Sequence, residues 1–159
     1  MRTRSTATKT SSSPSATKIR VLFVDDNQDL STVLRMVIDA EPDMLCVGSL
    51  ASADHLVAEV RRLCTKAPAP TPDAATHLVV ILDATMPGKD PFEAMSELAT
   101  AFPQVPTIIY SGHDDPGFID RASNAGAWGC VSKREEPDAV TRAVREVWAL
   151  KESAEPTLA

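Results

Sequence analysis

Long hydrophobic runs are missing from this chain. No stretch approaches the roughly 20 apolar residues needed to span a bilayer, so a membrane-embedded role is not expected. Cysteine pairing is missing too. Cys46, Cys64 and Cys130 are odd in number and far apart, and none forms a CxxC pair. A disulfide framework or zinc knuckle is therefore excluded, and the three read as reduced thiols of a cytoplasmic protein. Positive charge is scarce outside the first residues. Of the net −6, residues 1–18 carry +4 from Arg2, Arg4, Lys9 and Lys18, which leaves −10 on the rest. Nucleic-acid affinity rests on Lys and Arg neutralising phosphates, so direct DNA binding is not expected of the acidic body. No internal repeat is present.

What is there begins with a tail. "MRTRSTATKTSSSPSATK" has almost nothing to bury, and residues 1–17 are expected to be disordered. From Ile19 the pattern alternates. "IRVLFV" reads as a strand and "LSTVLRMVIDA" as a helix with Leu30, Val33, Leu34, Val37 and Ile38 on its inner stripe. "MLCVGSL" is a second strand, and "ADHLVAEVRRLC" a second amphipathic helix. A proline-rich loop over 64–77 follows. Next comes "LVVIL", a continuous apolar run of the kind covered on both faces. "FEAMSELATAF", "PTIIY", "PGFIDRASNAGA", "WGCV" and "PDAVTRAVREVWAL" complete five strand–helix pairs. The last helix is expected to end near Leu150, leaving 151–159 as a second tail. One domain over 18–150 results, and alternation of this kind implies a doubly wound, mostly parallel α/β sheet.

Ligands of such sheets bind beyond the carboxyl ends of the strands. At those ends stand Asp25 and Asp26, then Gly48 and Ser49, then Asp83, then Ser111, and finally Ser132 and Lys133. Three carboxylates gathered at one edge repel unless a cation sits among them. Mg²⁺ suits them, because it takes hard oxygen ligands and few protein groups. A carboxylate beside Mg²⁺ can attack phosphorus and become an acyl phosphate. Lys133 and Ser111 would then supply positive charge and a donor to the phosphoryl oxygens.

Four motifs in order resemble the receiver domain of two-component response regulators. "VLFVDDNQDL" is similar to the family's acidic pair, and "LVVILDATMPG" to its phosphoacceptor strand and Met-Pro-Gly turn. "IIYSGHDD" is similar to the strand with the switch hydroxyl, and "NAGAWGCVSK" to the segment carrying the family's lysine. The resemblance spans about Lys18 to Leu150. It implies a flavodoxin-like fold of five parallel strands in the order 2-1-3-4-5. It implies Asp83 as phosphoacceptor, Asp25, Asp26, Asp83 and the Thr85 main-chain carbonyl around Mg²⁺, Lys133 on the phosphoryl group, and Ser111 as switch. Thr85 and His113, each two residues beyond a site residue, would tune the lifetime of the phosphorylated form. The partners implied are a sensor histidine kinase or phosphotransfer protein and a downstream protein target. The output face would comprise the fourth helix, fifth strand and fifth helix, from about Pro116 to Leu150, and could also support a homodimer. Cys130, at the output position that is commonly aromatic, departs from the family pattern. So do Arg134 after the lysine, Pro91 where Gly is usual, and the length of the 64–77 loop. The match is closest to receivers that precede a helix-turn-helix domain, and a stand-alone switch is the expectation. Alternatives are a phosphorylation-independent interaction scaffold, a Mg²⁺-dependent phosphohydrolase with an Asp nucleophile, and a piece of a longer regulator.

Overall fold

Alternation in the sequence becomes alternation in space. A computed structural model of the chain describes residues 18–65, 77–86, 88–112 and 115–154. Five strands, β1 (Ile19–Val24), β2 (Met44–Leu50), β3 (Leu78–Asp83), β4 (Thr107–Ser111) and β5 (Gly129–Ser132), form one sheet. The helices are α1 (Gln28–Asp39), α2 (Leu56–Thr65), α3 (Pro91–Ala101), α4 (Pro116–Asn124) and α5 (Asp138–Ala154). All strand pairs are parallel, in the order β2-β1-β3-β4-β5. This is the expected (βα)₅ architecture.

Strand side chains alternate between two cores, because successive residues point to opposite faces. Val21, Phe23, Val79, Ile81 and Ile108 pack under α1 and α5 with Leu34, Ile38, Val140, Val144 and Val147. Leu22, Val24, Val80, Leu82 and Ile109 pack under α2, α3 and α4 with Leu56, Val60, Met95 and Leu98. β1 and β3 are buried at every residue, as strands covered on both faces must be. The pairing of β1 with β2 slips between Val21 and Leu22, so that Cys46 and then Gly48 stand opposite them. The β1–β3, β3–β4 and β4–β5 ladders run without a slip.

Helix starts follow local chemistry. Asn27 caps α1 by accepting from the Leu30 amide at 3.0 Å. Asp90 and Asp115 cap α3 and α4, each followed by a proline in the first turn, where its missing N–H is not needed.

Four details differ from the sequence expectation. α5 continues past Leu150 to Ala154, and Lys151, expected in a tail, is buried with its ammonium 5.1 Å from the Trp148 ring centre. Val33, expected on the inner stripe of α1, is 44% exposed. The stripe is narrower than the residue types suggest, with only Ser31, Leu34 and Ile38 of α1 fully buried. Thr65 closes α2, one residue beyond the helix read from the sequence, rather than opening the loop. Arg20 lies buried inside an otherwise apolar strand; its guanidinium donates to the Leu63 carbonyl at 3.1 Å and so satisfies an orphan acceptor in the last turn of α2. The tail at 1–17, the loop residues 66–76 and His113 lie outside the described residues.

Candidate functional site

The sheet delivers the expected side chains to one edge. β1 runs directly into Asp25, and Asp83 and Ser111 are the last residues of β3 and β4. Ser132 ends β5, opposite Ser111 in the ladder, and Lys133 follows. The Lys133 amide donates to the Ser111 carbonyl at 2.8 Å, so the lysine's main chain extends the ladder by one rung. Asp25, Asp83 and Ser111 are buried, while Asp26 and Thr85 are exposed at the mouth.

Lys133 stands between the two buried acids. Its ammonium lies 3.2 Å from Asp83 Oδ1 and 3.4 Å from Asp25 Oδ2. Burial, the largest single influence, pulls the lysine's pKa down. The attraction of Asp83 and Asp25 together outweighs it, so the net shift is upward and the ammonium stays charged. Asp83 Oδ1 also accepts from the Thr85 amide at 3.0 Å and from the Thr85 hydroxyl at 3.2 Å.

Asp25 is less well provided for. Its Oδ1 accepts from the Asn27 amide at 2.8 Å. Its Oδ2 is buried, and the Lys133 ammonium at 3.4 Å, shared with Asp83, is a long and weak partner for it. Burial raises the Asp25 pKa above the usual carboxylate range. Asp83 pushes the same way, while the Asn27 amide and Lys133 pull against both.

This donor set suits a small hard cation. Asp25, Asp26 and Asp83 each offer an oxygen, and the three oxygens lie within 4.8 Å of one another. One of these acids, Asp25, is buried beside Asp83 with a single ammonium shared between them, an arrangement that a further positive charge at the mouth would relieve. Oxygen-only donors at an open mouth match Mg²⁺, which holds few protein ligands and keeps its waters.

Cys130 sits away from this cluster. It is exposed on β5 and, with Ser111, Phe118 and Ile119, lines a cleft of about 160 Å³ between β5 and α4. Although the residue as a whole is exposed, partial desolvation at the cleft pushes its thiol pKa up, the opposite of what activates a nucleophilic thiol. Three residues near the site were not singled out from the sequence. Tyr110 is buried with its ring centre 5.6 Å from the Lys133 ammonium, within range of a cation–π contact. Asn27 both caps α1 and orients Asp25; its signal was a cap residue just before an amphipathic run. Asp54 reaches the loop after β3 from 35 residues away, a contact no local pattern announces.

Comparison with known proteins agrees with the geometry. A family model described as the response regulator receiver domain matches residues 21–145. The transcriptional regulatory protein UhpA of Salmonella typhimurium strain LT2 is 31% identical over 129 residues, which is 81% of this chain and 58% of that protein. The transcriptional regulatory protein DegU of Brevibacillus brevis is 26% identical over 130 residues, 82% of this chain and 50% of that protein. The chain thus spans about half the length of these curated relatives. Among solved structures, a two-component response regulator of the LuxR family from Aurantimonas sp. SI85-9A1 superposes with a TM-score of 0.70 at 26% identity, covering 84% of this chain and 86% of that one. The isolated REC domain of RcsB from Salmonella enterica serovar Typhimurium, at 18% identity and a TM-score of 0.68, covers 83% of this chain and 89% of that one and shares the fold.

Proposed function

The chain belongs to the response regulator receiver domain family, and from that premise we propose that Asp83 accepts a phosphoryl group from the phosphohistidine of a sensor kinase or phosphotransfer protein. The observation that carries this reading is the gathering of three carboxylates, Asp25 and Asp83 buried and Asp26 exposed, around a single ammonium that two of them share.

Asp25, Asp26, Asp83 and the Thr85 main-chain carbonyl would hold Mg²⁺. Bound there, it neutralises charge on the acids and on the phosphoryl oxygens. The chain's own groups do the rest. An Asp83 carboxylate oxygen forms a bond to phosphorus while the phosphorus–nitrogen bond breaks, and the imidazole nitrogen keeps the electron pair. Asp83 becomes an acyl phosphate. Lys133 is a point charge already aimed at Asp83, so little reorganisation is needed as negative charge accumulates. The Ser111 hydroxyl, at the end of the neighbouring strand, donates to a phosphoryl oxygen. Loss of the group is hydrolysis: water attacks phosphorus, and the bond to the Asp83 oxygen breaks. Thr85, already hydrogen-bonded to Asp83, stands in the path of that water. The family is a signalling one, and the chemistry proposed is confined to the chain's own carboxylate.

The output reading follows from the same residues. Movement of Ser111 toward the phosphoryl group alters the cleft it shares with Cys130, Phe118 and Ile119. Ile119, Trp128 and Cys130 line a second groove of about 350 Å³ on the outside of α4 and β5. We assign this face to a downstream protein or a second copy of the chain. Acidity of the body supports a protein partner there over DNA. The transcriptional roles of the relatives belong to longer proteins. Action in the cytoplasm beside a kinase is part of the same proposal; among the described residues no helix is long and apolar enough to cross a membrane.

Acetyl phosphate with Mg²⁺, followed by intact mass, tests the reading. The expected result is a gain of one phosphoryl group that disappears in Asp83→Asn. No gain, with a cognate kinase also unable to label the chain, would overturn it in favour of a scaffold that binds without phosphorylation.

A further inference from the structure

The connection from β3 to α3 begins at the proposed metal site. At its near end Thr85 is tied to Asp83 through its amide and hydroxyl. At its far end the Lys89 amide donates to Asp54 Oδ1 at 2.9 Å, and Asp54 belongs to the segment just before α2. Asp90 then caps α3. Thr85 and Lys89, four residues apart, are thus each tied to an aspartate, and the two aspartates lie on different parts of the chain.

Gly88 makes the second attachment sterically feasible. Its φ is +93°, a region that side chains disfavour. A Cβ there would meet Asp54 Oδ1 at 3.0 Å. Both facts ask for glycine: the backbone must turn the Lys89 amide toward the carboxylate, and the carboxylate must come close. Ala53, directly before Asp54, is buried against the α2–α3 core, which fixes the root of the aspartate.

We propose that Asp54 is a positioning residue for the metal site: by gripping the Lys89 amide it sets the path of the loop and so the placement of the Thr85 carbonyl. This rests on the proposed Mg²⁺ site and extends it to a residue outside the acidic cluster. Coupling is reciprocal. Whatever binds the Thr85 carbonyl also steadies Lys89, and whatever loosens Lys89 weakens binding at Thr85.

The test uses the full chain, with Mg²⁺ affinity measured by calorimetry and exchange of the Lys89 amide followed by hydrogen–deuterium exchange. In Asp54→Ala the Lys89 amide loses protection in metal-free protein, and Mg²⁺ binds about fivefold more weakly, the equivalent of one net hydrogen bond. Asp54→Asn keeps an oxygen acceptor at the same place and restores most of both. Added Mg²⁺ raises Lys89 protection in the unaltered chain and not in Asp54→Ala. If the unaltered chain binds no Mg²⁺, the metal reading falls and the inference with it. If it binds and Asp54→Ala binds equally well, the inference alone is overturned. Failure of Asp54→Asn to rescue also overturns it, because the carboxylate's charge and not its grip on the amide would then matter.

Discussion

Replacing Asp25 by Asn should stabilise the metal-free chain, although it removes a residue proposed to hold metal. Asp25 Oδ2 is 3.4 Å from the Lys133 ammonium, an attraction of about 5 kcal/mol at an effective dielectric constant of ~20. Asp83, within 4.8 Å, repels Asp25 by about 3–4 kcal/mol on the same scale. Asp26 adds a smaller, solvent-screened repulsion. These charge contributions cancel to within a couple of kcal/mol. What is left is the burial of a carboxylate oxygen met by a long ammonium contact that Asp83 shares, a cost of about 1–3 kcal/mol. An Asn amide turned toward Asp83 donates where the carboxylate could only repel. The net gain is about 1–2 kcal/mol, or a rise of roughly 3–6 °C in Tm for a chain of this length. The sign of the pH dependence follows from the raised Asp25 pKa. Stability contributed by that group is complete below the ordinary aspartate value and is lost as pH climbs through the raised value of the folded state. The advantage of the variant should therefore widen as pH climbs from the ordinary aspartate value through that raised value. Mg²⁺ reverses the order: at one hundred times its Kd it adds about 2.7 kcal/mol to the unaltered chain and far less to the variant. Urea unfolding at several pH values, with and without Mg²⁺, measures all of this. A variant less stable than its parent in metal-free buffer at pH 7 would refute the reasoning.

Lys133→Met keeps the stem and removes the ammonium, leaving Asp25 and Asp83 facing each other. We expect a loss of about 2–3 kcal/mol at neutral pH, below the usual figure for a broken buried pair because the lysine is partly exposed. With its pKa raised, the lysine's contribution is full below the ordinary lysine value and fades above the raised one, so the unfolding midpoints of parent and variant should converge in strong alkali. Thr85→Val removes the hydroxyl 3.2 Å from Asp83 Oδ1 and keeps its shape; the half-life of the phosphorylated chain, read by mass, should change severalfold, and an unchanged half-life refutes a tuning role. Arg145→Ala cuts the α5 guanidinium from Glu41 and from Asp43, whose Oδ1 is 2.9 Å away. All three are solvent-accessible, so the cost is about 0.5–1 kcal/mol and shrinks with added salt; since Arg145 lowers the Asp43 pKa, it also vanishes as pH falls through that lowered value.

Legibility in the sequence tracked the range of the interactions. The apolar runs of β1 and β3 announce burial on both faces because every residue takes part, and the strand ends announce the acids, since the chain turns polar there. Asn27 was legible in principle as a cap. Val33 was not placed correctly, because residue type alone does not set the width of a helix's buried stripe; the packing of α5 across α1 does. Arg20 reads as an interruption of a strand, and only the folded chain shows the Leu63 carbonyl it satisfies. Lys151 reads as part of a tail, whereas in the fold it lies under Trp148. Asp54 and Tyr110 act through partners whose distance in sequence is unrelated to their distance in space.

The unbroken ladders from β1 through β5 limit where the chain can change length. Adding or deleting one residue within β3 or β4 would turn Asp83 or Ser111 to the opposite face of the sheet. Among the described residues, the only slip in pairing lies between β1 and β2, on the far side of β1 from Asp83. Drift in chain length is thereby confined to connections at the other end of the strands, such as residues 66–77 between α2 and β3. That connection enters β3 at the end remote from the acids, so the sheet works as a ruler with its zero mark at the site.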